Sequence, residues 1–178
     1  LKMRPYTDYR KRIKLLRSGL PRLVVRKTNH TVITQIIKTI LDEEGNIKDI
    51  TIASAYGKEL KKFDWPFSFK NLPSSYLTGY LLARKSKINE ELILDKGLYT
   101  LHQNSFIFSA LKGAIDGGLK VRAGEINISN DRIMGLHIIN ISQKSSGLQF
   151  SKVKDKISKI KEIFQEVKNK IDKEYGAK

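Results

Sequence analysis

The apolar residues fall into short β-branched runs in the first third of the chain and into helical spacings after it. Leu23-Val24-Val25 begins a strand, Thr28-Asn29-His30 reads as a tight turn, and Val32 to Ile40 makes a second strand with Ile33, Ile36, Ile37 and Ile40. The acidic turn Asp42-Glu43-Glu44-Gly45-Asn46 leads into a third, Ile50-Thr51-Ile52-Ala53-Ser54. Two short connections in succession predict an antiparallel meander. Residues 57–73, with Trp65, Pro66 and Pro73, lack periodicity and read as loop. After Pro73, Ser74 or Ser75 caps a helix whose Leu77, Tyr80, Leu81 and Ala83 share a face. Leu92-Ile93-Leu94, bounded by Glu91 and Asp95, has the length of a buried strand. Asn104 or Ser105 opens another helix, with Ile107, Ala110, Leu111, Ala114 and Ile115 in phase and Gly117-Gly118 as its stop.

The order β-β-β-α-β-α predicts an α/β fold, a small mixed sheet packed by helices. Residues 119–150 are rich in Gly, Asn and Ser and read as irregular. From Ser151 onward, Val153, Ile157, Ile160, Phe164, Val167 and Ile171 are spaced 4, 3, 4, 3 and 4, which predicts a long helix over 151–175. Its apolar stripe either packs on the core or fills a partner's groove. Ahead of the sheet, Thr7 to Ser18 suits a short basic helix ended by Gly19 and Pro21. The chain thus divides into a basic arm over 1–21, an α/β core over 22–139, and a linker with an amphipathic helix over 140–178.

Charge changes this picture most. The 178 residues carry 34 Lys and Arg against 18 Asp and Glu, a formal net charge of +16, and 40% hydrophobic residues suffice for a core. An excess of that size calls for an anionic partner: nucleic acid, an anionic membrane surface or an acidic protein. The absence of cysteine excludes disulfides, a thiolate nucleophile and Cys-ligated zinc. No apolar run approaches the ~20 residues of a spanning helix, and the basic start lacks the apolar segment of a signal peptide.

The excess is concentrated. Residues 1–27 hold Lys2, Arg4, Arg10, Lys11, Arg12, Lys14, Arg17, Arg22, Arg26 and Lys27 against Asp8 alone, with Tyr6 and Tyr9 interleaved. Lys and Arg neutralise phosphates and release counterions, while Tyr stacks on bases or riboses, so this pattern points to RNA. A membrane-surface helix would need a broad apolar face, and residues 7–18 offer only Ile13 and Leu16. The competing reading is a solvated basic tail. The turn Arg26-Lys27-Thr28-Asn29-His30 sets two cations, an amide and an imidazole at one end of the sheet, either as a fingertip for RNA or as an ordinary hairpin turn.

Catalytic signatures are sparse. A metal-dependent nuclease or another RNA-processing enzyme on a similar small α/β core is the alternative; Asp95 and Asp116 are the candidate metal ligands, but several such acids would have to converge. The other acids fall in turns or on amphipathic faces, and His102 and His137 have no second ligand at metal spacing. There is no P-loop, GxGxxG or Gly-x-Ser-x-Gly motif, so neither a cofactor nor catalysis is expected.

Several spaced segments resemble one known family. Tyr6-Thr7-Asp8-Tyr9-Arg10-Lys11-Arg12, Leu15-Leu16-Arg17-Ser18 and Pro21-Arg22-Leu23-Val24-Val25-Arg26-Lys27-Thr28-Asn29 are followed by Tyr76-Leu77-Thr78-Gly79-Tyr80-Leu81-Leu82 and Leu94-Asp95-Lys96-Gly97-Leu98. Ala110-Leu111-Lys112-Gly113-Ala114-Ile115-Asp116, Asp131-Arg132-Ile133 and Gly135 complete the set. Together they resemble the universal large-subunit ribosomal protein eighteen family in its archaeal and eukaryotic form, over about residues 6–139. The resemblance implies a β-β-β-α-β-α core in a cytoplasmic ribosome. It also implies binding to 5S rRNA and docking of that RNA on 23S-type rRNA in the central protuberance, beside the neighbouring 5S-binding ribosomal protein. The family's RNA-contacting segments map onto Arg4–Arg17, onto Arg22 and Arg26–His30, and more loosely onto Ser54. Two positions depart from the family's pattern: His30 stands where Lys is common, and Phe106 replaces a basic residue after Ser105. From about Asn140 onward no family motif is recognisable.

Overall fold

The structure is a computed structural model that describes residues 7–100, 102, 104–124, 126–144 and 153–176. A five-stranded mixed sheet forms its centre, built from β1 (Arg22–Lys27), β2 (Val32–Leu41), β3 (Ile47–Tyr56), β4 (Leu92–Asp95) and β5 (Val121–Arg122) in the order β3-β2-β1-β4-β5. The predicted meander is present, β1 with β2 and β2 with β3 running antiparallel, while β1–β4 and β4–β5 are parallel. Side chains alternate across a strand, and β1 shows the consequence. Leu23 and Val25 enter the hydrophobic core, leaving Arg22, Val24 and Arg26 on the other face.

One face of the sheet carries α2 (Leu72–Ser86), α3 (Phe106–Asp116) and α7 (Ile160–Tyr175). Helices α2 and α3 cross at a pair of glycines, where a Cβ on Gly79 would collide with the Ala110 carbonyl and one on Gly113 with the Tyr76 carbonyl. Helix α7 buries Ile160, Phe164, Val167 and Ile171, which settles the C-terminal stripe as core. Asp172 locks it to α2, accepting from the Tyr80 hydroxyl at 2.8 Å and pairing with Arg84 Nε at 2.8 Å. The predicted single helix over 151–175 is in fact two pieces, α6 (Lys154–Ile157) and α7.

Other elements differ from the sequence reading in detail. Asn71, not Ser74 or Ser75, caps α2, accepting from Ser74 N at 2.8 Å and placing Pro73 in the first turn, where its missing N–H costs nothing. Ser105 caps α3. A 3-10 helix, Gly57–Phe63, occupies part of the expected loop. The stretch read as irregular contributes β5, α4 (Asn130–Ile133) and α5 (Leu136–Lys144).

Gly113→Ala tests the helix crossing. Forcing a methyl against the Tyr76 carbonyl should lower the unfolding free energy by about 1–3 kcal/mol, the range for overpacking. Gly124→Ala, where a Cβ meets nothing within 4 Å, should cost nothing in the same denaturant titration.

Candidate nucleic-acid interface

The other face of the sheet is crossed by α1 (Tyr9–Arg17). Asp8 caps this helix, its carboxylate accepting from Lys11 N at 3.2 Å. No residue of α1 is fully buried, so its own core contributes little, and the arm is fixed to the sheet mainly by Arg12. Arg12 Nη2 lies 2.8 Å from Asp49 Oδ2 on β3. Under α1 lies a cleft of about 580 Å³ whose lining includes Lys11, Arg12, Lys14, Arg22, Arg26 and Lys96 against three carboxylates.

Two aspartates organise these cations. Arg22 is only 4% exposed, with Nη2 2.7 Å from Asp49 Oδ2 and Nη1 donating to Asp95 Oδ2 at 3.3 Å. The Nη2 contact is close without hydrogen-bond alignment, and Arg22 Nε has no hydrogen-bond partner among the described residues, so charge attraction holds this side chain more than hydrogen bonding does. Asp95 also holds Arg26, whose Nη2 donates to Oδ1 at 3.2 Å and whose Nη1 donates to the Asp95 carbonyl at 2.9 Å. The same Oδ1 accepts from Gly97 N at 2.9 Å. Gly97 has φ +59°, and an added Cβ would press on the Arg26 guanidinium. Arg12, Asp49, Arg22, Asp95 and Arg26 therefore form a continuous chain of alternating charge.

Around this chain stand the exposed groups. On α1, Tyr9 is 69% exposed, and Arg10, Lys11, Lys14 and Arg17 face solvent. At the β1–β2 turn, the Thr28 hydroxyl accepts from His30 N and Thr31 N at 3.3 and 3.1 Å, which leaves Asn29 and His30 exposed. Ser54 pairs with Gln35 in the β2–β3 register and is half-buried on the same face as Val24. Arg4 and Tyr6 lie outside the described residues. Of the expected cations, the structure ties Arg12, Arg22 and Arg26 to the carboxylates of Asp49 and Asp95, and Lys11, at 3.5 Å, to the capping Asp8.

A further segment lies beyond those the sequence pointed to. The loop after β4 brings Lys96, Leu98 and Tyr99 to the rim of the cleft, and the Tyr99 hydroxyl donates to the Lys27 carbonyl at 2.8 Å. Phe106, the uncharged departure, stands edge-on to Tyr99 and carries the Lys27 ammonium 4.6 Å above its ring centroid. The missing charge is thus exchanged for an aromatic seat under a neighbouring one. Asp116, weighed with Asp95 as a metal ligand, is on the helix-covered side, bound to the Tyr76 hydroxyl at 2.8 Å and to Lys112. The two carboxylates do not converge.

Comparison with known proteins matches residues 2–92 to a family model described as "Ribosomal large subunit proteins 60S L5, and 50S L18". The chain is 45% identical over 141 residues to "Large ribosomal subunit protein uL18" of Korarchaeum cryptofilum, an alignment covering 78% of this chain and 70% of the relative. The protein of the same name from Saccharolobus islandicus (strain L.S.2.15) is also 45% identical over 141 residues, covering 78% and 69%.

The acid limb of the stability curve reports the charge chain. Partial burial pushes the Asp49 carboxyl up, but the hydrogen bond from the Thr39 hydroxyl and the close positive charges of Arg22 and Arg12 outweigh it and hold the pKa below the ordinary 3.8. A depressed carboxylate stabilises the fold above its unfolded pKa and loses that contribution as pH falls through the folded value. Asp49→Asn should therefore be less stable than the parent at pH 7 and lose less between about pH 4 and pH 2. Denaturant titrations across that range should show the two curves converging in acid.

Proposed function

Since the chain belongs to the uL18 family of large-subunit ribosomal proteins, we propose that it binds 5S rRNA through α1, the open sheet face and the β1–β2 turn. As a member of that family it is a structural, non-catalytic component of the ribosome in the cytoplasm. The observation that carries the RNA reading is the convergence of exposed cations on one side of the sheet, while α2, α3 and α7 cover the other. Arg10, Lys11, Lys14 and Arg17 meet phosphates from α1, and Lys27, Asn29 and His30 meet them from the turn. Tyr9 supplies a ring for stacking. Arg12, Arg22 and Arg26 position these groups from beneath, and Ser54 borders the same surface. Arg4 and Tyr6 extend the interface along the arm. The bound 5S rRNA is docked on the large-subunit rRNA in the central protuberance, beside the neighbouring 5S-binding ribosomal protein.

The salt dependence of affinity separates the roles. Replacing Arg10, Lys11, Lys14 and Arg17 together by Ala touches no buried side chain, so the variant should fold. Its affinity for 5S rRNA should fall, and its plot of log affinity against log salt should flatten by about 0.7–0.9 for each phosphate no longer neutralised. Tyr9→Ala should weaken binding by about 1–3 kcal/mol with the slope unchanged, because stacking releases no counterions. Full affinity and the parent slope in the fourfold variant would reduce α1 to a solvated tail.

A further inference from the structure

The far end of the β2–β3 ribbon is the part of the molecule least explained by its own fold. Residues 43–52 are all exposed, as are Ile40 and Leu41. Yet this stretch carries five large apolar side chains: Ile40, Leu41, Ile47, Ile50 and Ile52. Leu41 and Ile47 are register partners, 70% and 62% exposed, and so form one apolar step on a single face of the ribbon. Ile40 opposite Lys48 and Ile50 opposite Lys38 place apolar groups on the other face. β3 is also the edge of the sheet, with no described strand on its outer side. A register shift at Ile36/Ile37 and the charges of Lys48 and Asp49 protect this edge only in part. A two-stranded ribbon standing in water is marginal without something packed against it, and apolar pairs of this size are not needed for a solvated hairpin.

Charge says what kind of molecule fits. Between Ile40 and Ile52 the acids are Asp42, Glu43, Glu44 and Asp49 against Lys48, a local excess of negative charge in a chain of net +16. Asp49 is consumed by Arg12 and Arg22, and Asp42 closes the turn by accepting from Asn46 N at 2.7 Å. Glu43 has neither a hydrogen-bond nor an ion-pair partner among the described residues, and Glu44 meets only the Asn46 amide, at 3.2 Å. RNA phosphates are repelled by such a tip, and they gain nothing from bare isoleucines. A cationic polypeptide is attracted by the first and buries the second.

We propose that the β2–β3 ribbon is a docking surface for a cationic protein segment of the assembled large subunit, its apolar side chains on Leu41 and Ile47 and its Lys or Arg against Glu43 and Glu44. This goes beyond the 5S rRNA reading and does not depend on it.

The test is photocrosslinking from p-benzoylphenylalanine placed at position 47 of the full chain, assembled into large subunits and irradiated. A crosslink to a protein segment rich in Lys and Arg is expected. A crosslink to rRNA, to a second copy of the chain or to a neutral or acidic segment would overturn the proposal, as would no crosslink in subunits that contain the labelled chain. A companion variant, Leu41→Thr with Ile47→Thr, retains strand propensity while removing the apolar step. In competition with the parent chain its incorporation into subunits should fall at least threefold, with its unfolding midpoint and 5S rRNA affinity kept. Loss of 5S affinity in that variant would assign the ribbon to RNA instead.

Discussion

A buried arginine between two aspartates sets the geometry of the open face. Arg22 sits on the central strand, and its guanidinium reaches Asp49 on the edge strand β3 and Asp95 at the end of β4. Burying charge is costly, and an ion pair of this kind is weak evidence for stability as such. Its consequence here is positional. Asp49 is held where it can take Arg12 and so fix α1. Asp95 is held where it can take Arg26 and the Gly97 amide, and so fix the loop carrying Lys96 and Tyr99. Remove the central guanidinium and two carboxylates are left facing each other's cations with nothing to align them.

The division of the sheet into two faces follows from the alternation in β1. Leu23 and Val25 recruit the glycine-crossed pair α2 and α3, with α7 locked over them by Asp172. Arg22, Val24 and Arg26 face the other way and cannot recruit a second apolar layer. Only α1 lies there among the described residues, thinly apolar and mostly charged, over a cleft rather than a packed interface. A face that keeps cations exposed and leaves space beneath its covering helix suits an extended anionic partner far better than it suits a folding core.

Much of this is legible in the residue order. The β-branched runs mark the meander, the 4-3-4 spacing marks the C-terminal helix, and the clustered Lys and Arg mark the surface. What stays hidden depends on pairings distant in sequence. Nothing local shows that Arg22 is buried, because its partners lie 27 and 73 residues away. The role of Tyr99 depends on Lys27 across a similar gap. The break between α6 and α7 leaves the apolar spacing intact, so periodicity cannot reveal it. The strand β5 has two residues, too few to carry any pattern. Asn71 is hard to single out as a cap because the serines after Pro73 look equally suitable, although Pro belongs just inside a helix start.

Lysine modification read by mass spectrometry, on the free protein and on its complex with 5S rRNA, tests the central claim most directly. If the cations aligned by the buried arginine–aspartate chain form the RNA surface, Lys11, Lys14, Lys27 and Lys96 lose reactivity in the complex. Lys161 and Lys173, exposed on α7 across the molecule, keep theirs. Protection of Lys161 and Lys173 with Lys11 and Lys14 still reactive would place the RNA on the helical side and contradict the account.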